Sequence, residues 1–113
     1  MALFKKNVGA VFGVTADEML RNIHVDIAFI GAHAVHANLG IMSTTFEKAS
    51  LKKRVIDASE SVYLVVDSSK FEKKAFAKIA KVDSVTGIIT DHLLPEDIKE
   101  LYKEYSIFIE EVS

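Results

Sequence analysis

Two short apolar runs in this chain each stop at an acid, and the first acid opens a segment suited to holding an anion. Residues 62–66 (Val-Tyr-Leu-Val-Val) run into Asp67, Ser68, Ser69 and Lys70, so two hydroxyls and a cation follow one carboxylate. Residues 87–90 (Gly-Ile-Ile-Thr) run into Asp91. A third run, residues 25–30, stops at Gly31 and Ala32 and leads into a segment carrying His33 and His36. Strands buried on both faces read as runs like these, and in parallel sheets their carboxyl ends open into the ligand crevice. Three such ends point to a small-molecule site.

Each candidate has a functional reading and a plainer one. The Lys70 ammonium and the Ser68 and Ser69 hydroxyls can converge on a phosphate or carboxylate. Alternatively the serines cap the next turn and Lys70 points into water. Gly31 and Ala32 suit a close approach of ligand to backbone, or a tight turn that needs room. Asp26 interrupts an apolar run, where an isolated carboxylate is costly unless paired or solvated at the strand's start. Asp91, with Thr90, either shapes the crevice or starts the helix before Pro95. His33 and His36, three apart, can share an ion on a helical turn, but no cysteine or nearby acid completes a set, so no metal is expected. A ligand hydrogen bond from His33 is the better reading. His24 and His92 flank strands as surface or cap residues. The triplet Lys52, Lys53, Arg54 reads as a solvated helix face rather than a DNA contact.

The elements that must hold these residues follow from periodicity. Thr15 and Glu18 form a capping-box pattern, and Ala16, Met19, Leu20 and Ile23 then fall on one helical face. Residues 31–43 read as a loop punctuated by Gly40. A helix is expected over residues 45–59, with Leu51, Val55 and Ala58 on one side and Ala49 and Ile56 on another. Residues 68–82 read as an irregular loop with a brief strand near Phe76 and Ile79. Pro95 fits the first turn of a last helix, with Glu96 and Asp97 at its positive end and a stripe of Ile98, Leu101, Tyr102 and Tyr105. Residues 107–112 form a closing edge strand. The order, with connections long enough for crossovers, predicts an α/β fold with a mostly parallel sheet and helices on both faces.

The totals narrow the classes. At 113 residues, half of them hydrophobic, the chain is read as one domain with a real core. The absence of cysteine removes disulfide and thiolate chemistry and fits a reducing cytoplasm. No signal-peptide core begins the sequence, and the apolar tract at residues 27–42 is broken by His33, His36 and Asn38, so a soluble cytoplasmic protein is expected. A net charge of −2 lacks the basic surplus of a dedicated nucleic-acid binder.

Five segments carry a family likeness when taken in order: residues 24–32 (His-Val-Asp-Ile-Ala-Phe-Ile-Gly-Ala), Gly40-Ile41, the Lys52-Lys53-Arg54 helix, residues 65–71 (Val-Val-Asp-Ser-Ser-Lys-Phe) and residues 88–91 (Ile-Ile-Thr-Asp). Together they resemble the C-terminal effector-sensing domain of DeoR-type transcriptional repressors, over about residues 8–112. The resemblance implies a fold similar to ribose-phosphate isomerase, glucosamine-phosphate isomerase and CoA-transferases, with the domain's N-terminal part missing. It implies regulation of carbohydrate metabolism, and a phosphorylated sugar or related metabolite as effector. DNA would be bound only through a winged helix-turn-helix absent from this chain. By the resemblance, the segment from Asp67 to Lys70 and the loop with Gly31, Ala32 and His33 bind effector, and Asp26 and Glu47 face sugar hydroxyls. No cofactor and no catalysis are implied. Two other classes stay open: a sugar-phosphate isomerase using Asp26 or Glu47 as base, and a fragment that only pairs with another copy through an exposed sheet edge.

Overall fold

The computed structural model describes residues 14–105 and 107–112. Helix α1 (Val14–Arg21) occupies the first expected helical segment, and Leu20 is buried. Strand β1 (Val25–Ile30) follows. The expected loop at residues 31–43 is instead an antiparallel hairpin, β2 (Ala34–His36) and β3 (Gly40–Ser43). All four residues of β3 are buried, so its side chains carry no exposed face to produce strand alternation. Helix α2 (Phe46–Ala58) begins where Thr45 Oγ1 accepts the Lys48 N–H at 3.1 Å. That N-cap satisfies one of the helix's free amides. It ends at Ser59, whose backbone turns extended into β4 (Ser59–Val65) and whose hydroxyl donates to Val55 O at 2.6 Å.

The remaining segment contains a 3-10 turn at Ser68–Lys70, β5 (Ala77–Ala80), a second 3-10 turn at Val82–Ser84 and β6 (Gly87–Asp91). Pro95 caps rather than begins helix α3 (Glu96–Leu101), and β7 (Phe108–Val112) closes the chain as an edge strand.

Two sheets result. The larger has the order β1-β4-β6-β7 and is parallel throughout; the smaller is antiparallel, β2-β3-β5. Gly40 adopts φ +98°, and a Cβ there would sit 2.4 Å from Ala80 O, so the β3–β5 approach requires glycine. Leu64 and Ile88 on the central strands pack with Val35 and Ile41 of the hairpin and Ala49 of α2 in one core. Each large apolar side chain buried there contributes about 1.5–3 kcal/mol.

The structure shows the expected α/β fold, a four-strand parallel sheet with helices; among the described residues one side of β1 and β4 stays open. Ile27, Phe29 and Val65 are 55, 65 and 46% exposed, with Phe29 and Tyr63 stacked 5.7 Å apart on that side. Their exposure means that no described helix lies over them.

A separate knot fixes the hairpin. Glu72, in the left-handed region at φ 56°, accepts from Ala37 N–H at 2.9 Å and from the Tyr102 hydroxyl at 2.6 Å. Burial, and then the Glu72 carboxylate, push the Tyr102 pKa far above its ordinary value. Tyr105 donates its hydroxyl to Ala37 O. The segment just after the last helix thereby clamps a turn more than sixty residues earlier in the chain.

Candidate functional site

The parallel register sets β1, β4 and β6 side by side, so their three carboxyl ends form one edge. Gly31 follows β1, and a Cβ on it would meet Val65 O of β4 at an unstrained 3.8 Å. Glycine is therefore not required there by the backbone. Ala32 links β1 to the hairpin, and His33 N–H donates to Met42 O at 3.0 Å, which anchors the backbone under its exposed imidazole.

The segment after β4 is built by two carboxylates. Asp67 Oδ1 accepts from Ser69 N–H at 2.9 Å and from the Ser69 hydroxyl, capping the 3-10 turn. Asp91 Oδ2 accepts from Ser68 N–H at 2.8 Å, while its Oδ1 accepts from Leu93 N–H at 2.8 Å. One carboxylate thus ties the β4 exit to the β6 exit. The Ser69 hydroxyl bond holds the Asp67 pKa down, and the Ser68 and Leu93 amides hold Asp91 down. Both acids are organisers of the loop, and Ser69 spends its hydroxyl on Asp67. Lys70 keeps its ammonium 4.0 Å from Asp67 Oδ2, with 40% of the side chain exposed. Thr90 is 2% exposed, so it belongs to the core rather than to the crevice.

Charge collects at this end of the sheet. Local desolvation, followed by the fields of Lys48, Lys52 and Lys70, holds the His33 pKa below its ordinary 6.5. Lys52 is itself lowered, by burial first and then by Lys48. Three ammonium groups from two elements therefore act on one imidazole. Among the described residues no carboxylate ion-pairs with Lys48 or Lys52. An anion entering here would meet Lys52, partly desolvated, beside an exposed Lys48, neither holding a counter-charge among the described residues.

Of the residues expected from sequence, the fold gathers Gly31, Ala32, His33, Asp67, Ser68, Ser69 and Lys70 at this edge, and Glu47 precedes Lys48 in the first turn of α2. It does not bring Asp26 there. Asp26 is the second residue of β1, at the amino end of the sheet, with its side chain 88% exposed. The reading of an acid buried in an apolar strand gives way to one solvated near the strand's start. His36 does not pair with His33: its Nδ1 accepts from Asn38 and Leu39 N–H, at 3.2 and 3.3 Å. Sequence reasoning missed Lys48 and assigned Lys52 to a solvated face. Their spacing of four residues, one helical turn, was the signal available.

Comparison with known proteins agrees with this architecture. A model of the DeoR C-terminal sensor domain matches residues 3–92. The L-fucose operon activator of Haemophilus influenzae is 29% identical over 98 residues, covering 87% of this chain and 39% of that protein. The HTH-type transcriptional regulator GlpR of Haloferax volcanii is 26% identical, over 85% of this chain and 38% of its own length. The glycerol-3-phosphate regulon repressor of Escherichia coli is 22% identical, over 90% of this chain and 40% of its own. The chain thus spans about two fifths of the length of these relatives. By their names they are regulators of gene expression, not enzymes. With most of its length matched by the family model, this chain belongs to the DeoR C-terminal sensor domain family.

Proposed function

We propose that the chain is a single, partial effector-sensing domain of a carbohydrate-metabolism regulator, and that its effector is a phosphorylated sugar or related metabolite. The observation that carries this reading is the placement of His33 and the Ser68–Lys70 turn at the carboxyl ends of β1 and β4, within the field of Lys48, Lys52 and Lys70. A phosphate monoester is dianionic and rich in acceptors, so it matches a cluster of ammonium groups beside an imidazole. We assign Lys70, Lys52 and Lys48 to the phosphate, and Ser68, His33, Gly31 and Ala32 to the crevice wall. Asp67 and Asp91 hold that wall in shape. Glu47, next to Lys48, is assigned to a sugar hydroxyl; Asp26, at the other end of β1, is not. The names of the relatives, among them a fucose operon activator and a glycerol-3-phosphate regulon repressor, support the metabolite class. The reading includes no turnover of the effector, a cytoplasmic location and DNA contact only through a reader domain outside this chain. No described helix is long and apolar enough to cross a membrane.

Thermal unfolding with a panel of sugar phosphates tests this, since a ligand selective for the folded state raises the midpoint. A selective shift, lost in Lys70→Ala and Lys52→Ala, is expected. Equal shifts in wild type and both variants would remove the phosphate from this site, and interconversion of an aldose phosphate with its ketose would restore the isomerase reading.

A second observation favours self-association. β1 is an edge strand whose outer face shows Ile27 and Phe29, and exposed apolar edges pair readily. A homodimer by light scattering, weakened by Phe29→Ser, is the expected result; a monodisperse monomer at high concentration would contradict it.

A further inference from the structure

The amino end of the same sheet carries a cluster that the effector reading does not use. His24 immediately precedes β1, Asp26 lies on β1, and Glu60 lies on the neighbouring β4. The register Val25↔Ser59 and Ile27↔Ser61 sets Asp26 beside Glu60 across the ladder. His24 Nε2 sits 3.3 Å from Asp26 Oδ1 and 3.2 Å from Glu60 Oε2. All three donor atoms lie within 4.8 Å of one another.

We infer that His24, Asp26 and Glu60 form a binding site for a borderline divalent cation of the zinc type. The spacing is the first argument. A tetrahedral ion with ligand bonds of about 2.0–2.1 Å holds its donors about 3.3 Å apart. Two of the three donor pairs already stand at that distance, so small side-chain rotations would close the set.

Charge is the second argument. Like charges directly opposite on paired strands are destabilising, and here two carboxylates face each other at the start of a parallel ladder. A divalent cation balances both. Placement is the third: Asp26 and Glu60 stand on strands whose backbones are fixed by hydrogen bonding, which holds the two carboxylates in one geometry. The imidazole nitrogen sets the metal class, because nitrogen donors favour zinc, copper or nickel, while magnesium and calcium favour oxygen alone. With side chains 67, 88 and 69% exposed, the ion would be open to solvent and keep water in its remaining position.

The test is titration of the full 113-residue chain with zinc chloride, followed by calorimetry and by the imidazole nitrogen resonances. One zinc per chain and a shift of the His24 Nε2 resonance are expected. His24→Gln and Glu60→Gln should each weaken binding by roughly tenfold or more, and Asp26→Asn likewise, while Lys70→Ala leaves zinc binding unchanged. Magnesium chloride should bind far more weakly than zinc. Absence of zinc binding at millimolar concentration would overturn the site. So would unchanged affinity in His24→Gln, which would leave the ion to His33, His36 or His92, or equal affinity for magnesium.

Discussion

The two ends of the parallel sheet are built from the same strands and use their charged groups differently. At the carboxyl end, β1, β4 and β6 open into turns organised by Asp67 and Asp91, and Lys48, Lys52 and Lys70 act on His33. At the amino end, β1 and β4 bring Asp26 and Glu60 together around His24. The carboxylates of the first end accept from backbone amides, and no described carboxylate ion-pairs with its Lys48 or Lys52. The carboxylates of the second end have only an imidazole between them. The lesson is that a residue's type does not fix its surroundings: Asp91 accepts two backbone amides, whereas Asp26 faces an imidazole and stands beside another carboxylate.

The largest test breaks what the two ends share. Leu64, fully buried on β4 between them, should cost about 2–5 kcal/mol when cut to alanine, measured by urea denaturation. Phosphate and zinc binding should then fail together at moderate denaturant, where the wild type still binds both. Independent loss would mean that the ends fold separately.

Next in size is the reversal of one cation. Lys52→Glu removes one positive charge from the phosphate site and adds a negative one, which should weaken sugar-phosphate binding by at least about tenfold. Isothermal titration with the best sugar phosphate measures this, and zinc affinity in the same variant should be unchanged. A loss of zinc binding would erase the distinction between the ends.

A smaller effect concerns the loop organiser. Asp91→Asn should lower the melting midpoint at pH 7, because the amides of Ser68 and Leu93 lose a charged acceptor. The native pKa of Asp91 is held below its ordinary 3.8. Its contribution is therefore present above the unfolded value and lost as pH falls through the native one. Melting curves of variant and wild type should converge in strong acid; a difference that persists there would assign the effect to packing rather than charge.

The smallest is a titration. Desolvation and three lysines depress His33, and a bound phosphate would offset the lysines. The His33 pKa, followed by NMR, should rise on saturation with the sugar phosphate, so that binding takes up protons near and below pH 6.5. An unchanged titration would place the ligand away from His33.

Much of the architecture was legible before any packing was known. Apolar runs at residues 25–30, 62–66 and 87–90 mark three strands, although β1 is open on one side, and the helix expected over residues 45–59 and the position of Pro95 mark helix starts within one residue. The hairpin of β2 and β3 was not legible, because a four-residue strand buried on both faces and a three-residue one ending in histidine give no alternation. The open face of β1 was hidden for the opposite reason: Ile27 and Phe29 look like core, and only the arrangement of the neighbouring elements leaves them exposed. In the site, the Asp67–Lys70 turn was visible as a string of neighbouring residues. Lys48 and Lys52 were not, since a helix assigns its lysines to water until something fixes which face is covered.

By itself the sequence determined the α/β class, the parallel strands and the family, because each rests on residues adjacent in the chain or repeating at a short period. Only the tertiary structure decided which charges meet. Asp26 and Glu60 are thirty-four residues apart, and Lys70 and His33 thirty-seven, so nothing local relates them. Strand register joined the first pair, and crossover connections brought the second to one edge, through backbone hydrogen bonding and core burial that no single segment contains.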